Sequence, residues 1–261
     1  MKHTFVICAY KESPYLEECI KSLKEQTVQS KIIMMTSTPN AYIEQMAKKH
    51  NIPLYIRDGA SDIVLDWNYG YNKVTTPYLT IAHQDDIYLP DYTKSVLDAF
   101  CKSRKPLIYF SDYGEIRNDE IVTKNRLLQV KRIMLIPLRC RLLYSSVFVR
   151  RRILSFGSPI CCPSVAYVKD NLPKEVFRQG FRSNEDWEAW EKLSNLKGDF
   201  IYDKRIMMYH RIHEDSETSA IIQDNKRSDE DMEMYSKFWP KPIAKLLVKA
   251  YASGQKSNDL K

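Results

Sequence analysis

Apolar positions in the first 110 residues alternate between two periods, short continuous runs and a helical repeat. Runs rich in β-formers at residues 4–10, 31–35, 52–56, 77–82 and 106–111 predict strands. Between the first two, Leu16, Cys19, Ile20 and Leu23 recur at helical spacing behind Ser13-Pro14, a cap-and-proline start. Thr38-Pro39 opens a second predicted helix that runs to about His50. A third covers Ser61 to about Lys73, ending near Gly70, and a fourth covers residues 91–102. Strand and helix in strict alternation predict an α/β fold with a mostly parallel central sheet and helices on both faces.

The second half is less periodic. Residues 113–122 read as a hairpin around Arg117-Asn118-Asp119-Glu120. Residues 127–152 mix apolar and basic positions with a partly helical period broken at Pro137. A short helix is predicted at 173–179 and another at 184–193, the latter with acids in its first turn. A late strand at 200–209 leads to a polar loop at 211–216, and two helices follow, the last around 243–251. With no internal repeat or low-complexity linker, the expected organisation is a domain over 1–220 and a helical tail over 221–261.

Composition narrows the class. Of 261 residues, 44% are hydrophobic and 28% charged, which describes a folded globular chain rather than a disordered one. Six cysteines without CxxC or finger spacing read as reduced thiols, Cys161-Cys162 included. The start of the chain lacks a secretory pattern, and no run approaches the ~18 apolar residues of a bilayer span. A cytoplasmic location is expected, with attachment to the inner face of the membrane as its variant. The net charge of +7 is lopsided: residues 121–169 hold ten Lys and Arg and no acid. Such a segment calls for an anionic partner or a solvated face. Nucleic acid is disfavoured because no recognition motif accompanies the charge. The interleaved apolar residues suit an anionic membrane surface, and a lipid-diphosphate acceptor would present the same sign.

The chemistry concentrates at Ile81-Ala82-His83-Gln84-Asp85-Asp86-Ile87-Tyr88, where an apolar strand ends in two adjacent carboxylates. Neighbouring acids at a strand end repel, and a hard divalent cation such as Mn²⁺ or Mg²⁺ is the usual compensation. α/β sheets also place ligands at strand ends. The seven glycines form neither GxGxxG nor a P-loop, so any bound diphosphate must be held by side chains and metal.

Val6 to Ser13, Leu16 to Leu23 with Gln26-Thr27, Asn68-Tyr69-Gly70, Gln84 to Asp91, Glu185-Asp186-Trp187 and Arg211 to Ser216 occur in an order and spacing that resemble family-2 glycosyltransferases of the GT-A, Rossmann-like fold. The resemblance implies an inverting, metal-dependent hexosyltransferase using a nucleotide-sugar donor, UDP-sugar foremost. It also implies a glycan acceptor, lipid-linked, in surface-polysaccharide assembly. Carried over by position, Ala9, Tyr10, Glu12, Thr36, Asn68, Gln84 and Asp85 would line the donor pocket. Asp85 would hold the metal with His213, His210 being a nearby competitor, and Asp186 would be the general base. A helix-start position favours the ionised form such a base needs. The chain departs from the family pattern at four places. His83 stands where an aspartate is common, Trp67 where an arginine often precedes Asn68, and Thr36-Ser37-Thr38 where an acid reads the base. Ala9 and Lys11 replace a commoner Pro and Asn. Two rival readings are a sugar-nucleotide pyrophosphorylase, which lacks its glycine-rich basic loop here, and a non-catalytic anion- or nucleotide-binding module.

Overall fold

The structure is a computed structural model that describes residues 1–213 and 226–255. Its N-terminal half is the expected alternation: β1 (His3–Cys8), α1 (Leu16–Lys24), β2 (Lys31–Thr36), α2 (Ala41–His50), β3 (Leu54–Ile56), α3 (Ile63–Lys73) and β4 (Tyr78–His83). These four strands are parallel in the order β3-β2-β1-β4. Because α1 returns to one side of β1 and α3 crosses to the other, the order reverses between β1 and β4. That reversal is the switch point at which open α/β sheets bind ligands.

The sheet continues with β5 (Ile87–Tyr88), α4 (Tyr92–Lys102), β6 (Pro106–Arg117), β7 (Glu120–Val122), α5 (Arg126–Met134), α6 (Val147–Leu154), β8 (Val165–Val168), α7 (Glu185–Ser194) and β9 (Asp199–Ile212). β8 lies antiparallel between β4 and β6, β9 is parallel to β6, and β5 pairs antiparallel with β9. The predicted hairpin is β6–β7, with Asn118 and Asp119 at positive φ in its turn. Two further helices, α8 (Lys226–Ser236) and α9 (Lys241–Gln255), follow. They pack back on the body of the fold, where the Trp187 ring meets Tyr235 at 5.0 Å and Tyr251 at 6.1 Å.

One layer of core joins α1, α2 and α4 to the sheet through Leu16, Ile20, Ile43, Tyr92 and Val96. The other joins α3, α6 and α7 through Trp67, Tyr71, Ile153, Trp187 and Trp190. α3 does not stop at Gly70. A Cβ there would lie 2.6 Å from Val6 Cγ1, so the glycine lets the helix touch β1 and the helix continues to Lys73.

Other departures from the sequence reading have local causes. Ser13 Oγ accepts from Tyr15 N in a turn, and α1 begins only at Leu16. Asn40, not Thr38, caps α2 by accepting from Ile43 N at 2.9 Å, and Asp62 caps α3 in the same way at Leu65 N. Residues 173–179 are not helical. Asn68 Oδ1 accepts from Val176 N and Phe177 N while its Nδ2 donates to Phe177 O, which holds that stretch as an irregular loop. Arg211 and Ile212 belong to β9 rather than to a polar loop; the Glu214–Ser216 part of that motif lies outside the described residues.

Candidate active site

Cys8 and His83 are register partners at the C-terminal ends of β1 and β4, so the chain leaving both strands frames one crevice. On the β1 side, Ala9 N donates to Met35 O and the residue is buried. Tyr10 is exposed, and Gln84 holds its backbone from both sides: Gln84 Oε1 accepts from Tyr10 N at 3.0 Å, and Gln84 Nε2 donates to Tyr10 O at 2.9 Å. That amide clamp ties the Asp85-Asp86 turn to the loop after β1. Lys11 takes φ 52 there, and its N–H donates to Thr38 Oγ1. Glu12 is exposed on the same loop. Thr36 is fully buried and accepts from Thr38 N, which shapes the loop after β2. Asn68 is half-buried and bonded to the 176–177 backbone.

The carboxylates meet histidines from the far strand. His213 Nε2 donates to Asp85 Oδ2 at 3.0 Å, and His210 Nδ1 donates to Asp86 Oδ1 at 2.9 Å. Burial alone would lower the His210 pKa. The facing Asp86 charge, the hydrogen bond to it and Asp85 beyond outweigh burial and raise it to about 9. Burial would push the Asp85 carboxyl up, but the bond from His213 and the neighbouring imidazoles hold it below its ordinary value. The His83 imidazole is shifted down by burial, against the pull of both aspartates.

Arg211 locks this turn in place, a role the sequence reading did not assign. Its backbone N–H donates to Asp86 Oδ1, its Nε to Asp85 O at 3.1 Å, and its terminal nitrogens to Glu18 and Asp119. The guanidinium also sits 4.3 Å above the Tyr15 ring. Three segments distant in sequence thus converge on one buried residue.

Two polar atoms in the crevice stay unmatched. His83 Nε2 and Asp86 Oδ2 are buried without a hydrogen-bond partner among the described residues, a costly state for groups of this polarity. One ligand atom each from His83, Asp85 and Asp86 lie within 4.8 Å of one another. One imidazole nitrogen and two carboxylate oxygens at that spacing fit a divalent cation. His213 reaches the same centre by way of Asp85. His83 is held flat against Trp67, with ring centroids 5.4 Å apart and planes 14° from parallel. The two departures from the family pattern around this site are therefore in contact with each other.

Asp186 occupies the first turn of α7, half-buried, and its Oδ1 accepts from Trp187 N at 2.6 Å. Burial pushes the Cys161 thiol up, Lys131 opposes this, and the charges of Asp86 and Asp186 both add to the rise. Cys161 therefore feels both carboxylates, one from the Asp85-Asp86 turn and one from α7. Asp66, passed over in the sequence, brings a carboxylate to the end of β2, where no acid was found. It is already engaged by Arg57 Nε and Ser37 Oγ, each at 2.6 Å.

A β3-β2-β1-β4 sheet with carboxylates rather than a glycine loop at its switch point defines the GT-A class of glycosyltransferase fold. Residues 4–177 match the family described as glycosyl transferase family 2, and the chain belongs to that family. An uncharacterized glycosyltransferase of Rickettsia conorii is 24% identical over 230 residues, covering 85% of this chain and 36% of that protein. The chain thus spans about a third of the length of the curated relative it matches. Among solved structures, Pyrobaculum calidifontis mannosyltransferase PcManGT in complex with GDP-Man and Mn²⁺ is 13% identical, with a TM-score of 0.65 over 96% of this chain and 69% of that one. S. aureus TarS 1–349 in complex with UDP-GlcNAc is 12% identical, with a TM-score of 0.62 over 95% and 70%. Likeness at this identity speaks for the fold.

Proposed function

We propose that the chain transfers a hexose from a nucleotide-sugar donor, UDP-sugar foremost, to a glycan hydroxyl with inversion, using Mn²⁺ or Mg²⁺. The observation that carries this reading is the pair of orphaned buried atoms, His83 Nε2 and Asp86 Oδ2, beside Asp85. These residues would hold a divalent cation, which when bound would supply Lewis-acid stabilisation of the charge on the departing nucleotide. Similar folds holding GDP-Man with Mn²⁺ and UDP-GlcNAc support the donor class.

The chain's own residues divide the work. Asp85 and Asp86 would hold the cation, and His213 and His210 orient those carboxylates and restrain their charge. His83 adds a nitrogen ligand, fixed in orientation by Trp67. Tyr10 and Glu12 line the nucleotide side, with Tyr10 set by Gln84. Asp186 accepts the proton of the acceptor hydroxyl as it attacks, and the Trp187 N–H fixes the orientation of its carboxylate. The acceptor is a lipid-linked glycan of surface-polysaccharide assembly, met at the cytoplasmic face of the membrane.

A screen of UDP-, dTDP- and GDP-sugars for Mn²⁺-dependent binding and turnover tests the proposal. Nucleoside-diphosphate affinity that is indifferent to EDTA and survives Asp85→Ala would instead select the non-catalytic binding module.

A further inference from the structure

The acid-free segment does not present all its charge to a partner. Arg132 is paired with Asp112 and Arg151 with Glu191. Arg150 is buried on the carbonyls of Gly198 and Leu196, Lys131 donates to Tyr113 OH, and Lys169 donates to the carbonyls of Val74 and Asn72. Arg141 donates to the carbonyl of Lys102, so six of the ten cations serve the fold. Lys124, Arg126, Arg139 and Arg152 remain on the surface.

The same segment is where the apolar surface gathers. Nine of the thirteen large hydrophobic side chains exposed among the described residues fall in two stretches: seven between Val130 and Phe156, and Ile243 with Leu246 on α9. Leu142 is 87% exposed, Phe148 71%, Leu246 69% and Phe156 48%. The centre of this surface is contiguous. The Arg152 guanidinium lies 5.6 Å above the Phe148 ring and 4.8 Å above the Trp239 ring, and Trp239 meets Phe156 at 5.5 Å. From Trp239 the chain passes straight into α9, which carries Lys241, Lys245 and Lys249 and no acid.

We propose that this face, comprising the outer side of α6, Trp239 and α9, docks on an anionic lipid surface, with Phe148, Phe156 and Leu246 entering the headgroup boundary. Exposed aromatic and aliphatic side chains ringed by cations are what an interfacial contact needs: burial of apolar area and attraction to acidic headgroups act together. A second copy of the chain is a poor occupant, because a two-fold contact would set this cationic face against itself. The inference is independent of the chemistry at the donor site.

Sedimentation of the full chain with phosphatidylcholine vesicles, with and without a quarter phosphatidylglycerol, tests it. The expected result is pelleting with the anionic vesicles only, released by high salt. Combining Phe148→Ser, Phe156→Ser and Leu246→Ser should lower the partition coefficient at least ~100-fold, each buried apolar side chain being worth about tenfold or more. Arg152→Gln and Lys245→Gln should each cost about fivefold at low salt and flatten the salt dependence. Ile56→Ser, an exposed apolar site elsewhere, should leave binding unchanged. UDP affinity with Mn²⁺ and thermal unfolding serve as fold controls for every variant. The proposal is overturned by equal binding to neutral vesicles, by partitioning that ignores the triple substitution, or by a dimer in sedimentation equilibrium that the triple substitution dissolves.

Discussion

His3 opens β1 and His83 closes β4, so two neighbouring strands carry a histidine at opposite rims of the sheet. At the N-terminal rim both ring nitrogens of His3 are matched. His3 Nδ1 bonds Ser30 Oγ at 2.9 Å and Nε2 bonds Thr80 Oγ1 at 3.0 Å, and the chain of hydroxyls continues to Thr93 and Tyr92. No charge takes part in these bonds, and burial pushes the His3 pKa down to about 3. At the C-terminal rim, three histidines face two carboxylates, two buried atoms lack partners among the described residues, and His210 is driven up to about 9. One rim is closed for stability and the other is left incomplete, as a ligand site must be.

Substitutions should separate the rims. Asp186→Asn is expected to lower kcat about 10³-fold, as loss of a general base does, with UDP affinity within about twofold of wild type. Stopped-assay turnover and titration calorimetry check both halves, and unimpaired transfer would make Asp186 merely a helix-start acid. Asp85→Asn should weaken UDP binding about 100-fold in Mn²⁺ and leave it unchanged in EDTA.

The N-terminal rim should respond to acid instead. The unfolded chain gains a proton on His3 near pH 6.5, whereas the folded protein refuses it until about pH 3. Stability from this group is thus complete above pH 6.5 and is lost as the pH falls through that window, by about 1.4 kcal/mol per pH unit. Urea unfolding of His3→Gln should show a shallower acid slope than wild type; identical slopes would mean that His3 is protonated in the fold. The smallest effect is expected at His83→Asp, which replaces the nitrogen ligand with oxygen. It should move the Mg²⁺:Mn²⁺ ratio of UDP affinities several-fold toward Mg²⁺.

The parallel strands were legible because β-branched runs and helical repeats of Leu, Ile and Cys are local signals. β8 was missed: Val165-Ala166-Tyr167-Val168 is brief, buried on both faces and preceded by Pro163, so neither alternation nor length marks it. Asp85, Asp86 and the two downstream histidines could be picked from motifs, but their pairing could not. The pairing depends on β9 running beside β6 and meeting β5, which brings together residues more than a hundred positions apart. The charge of residues 121–169 was visible in composition, whereas its division between inward and outward cations is a property of packing alone. His83 and Trp67 looked like two separate departures, and only their stacking joins them.

Arg211 also sets an order of assembly. The residue that fixes the Asp85 carbonyl, the Glu18 carboxylate and the Asp119 turn lies near the end of β9, the last strand of the sheet in chain order. A nascent chain that has emerged only as far as β8 holds the parallel half of the fold and both aspartates, but neither histidine partner nor the clamp. The donor crevice is thus completed late, by a segment that must first travel back across the sheet.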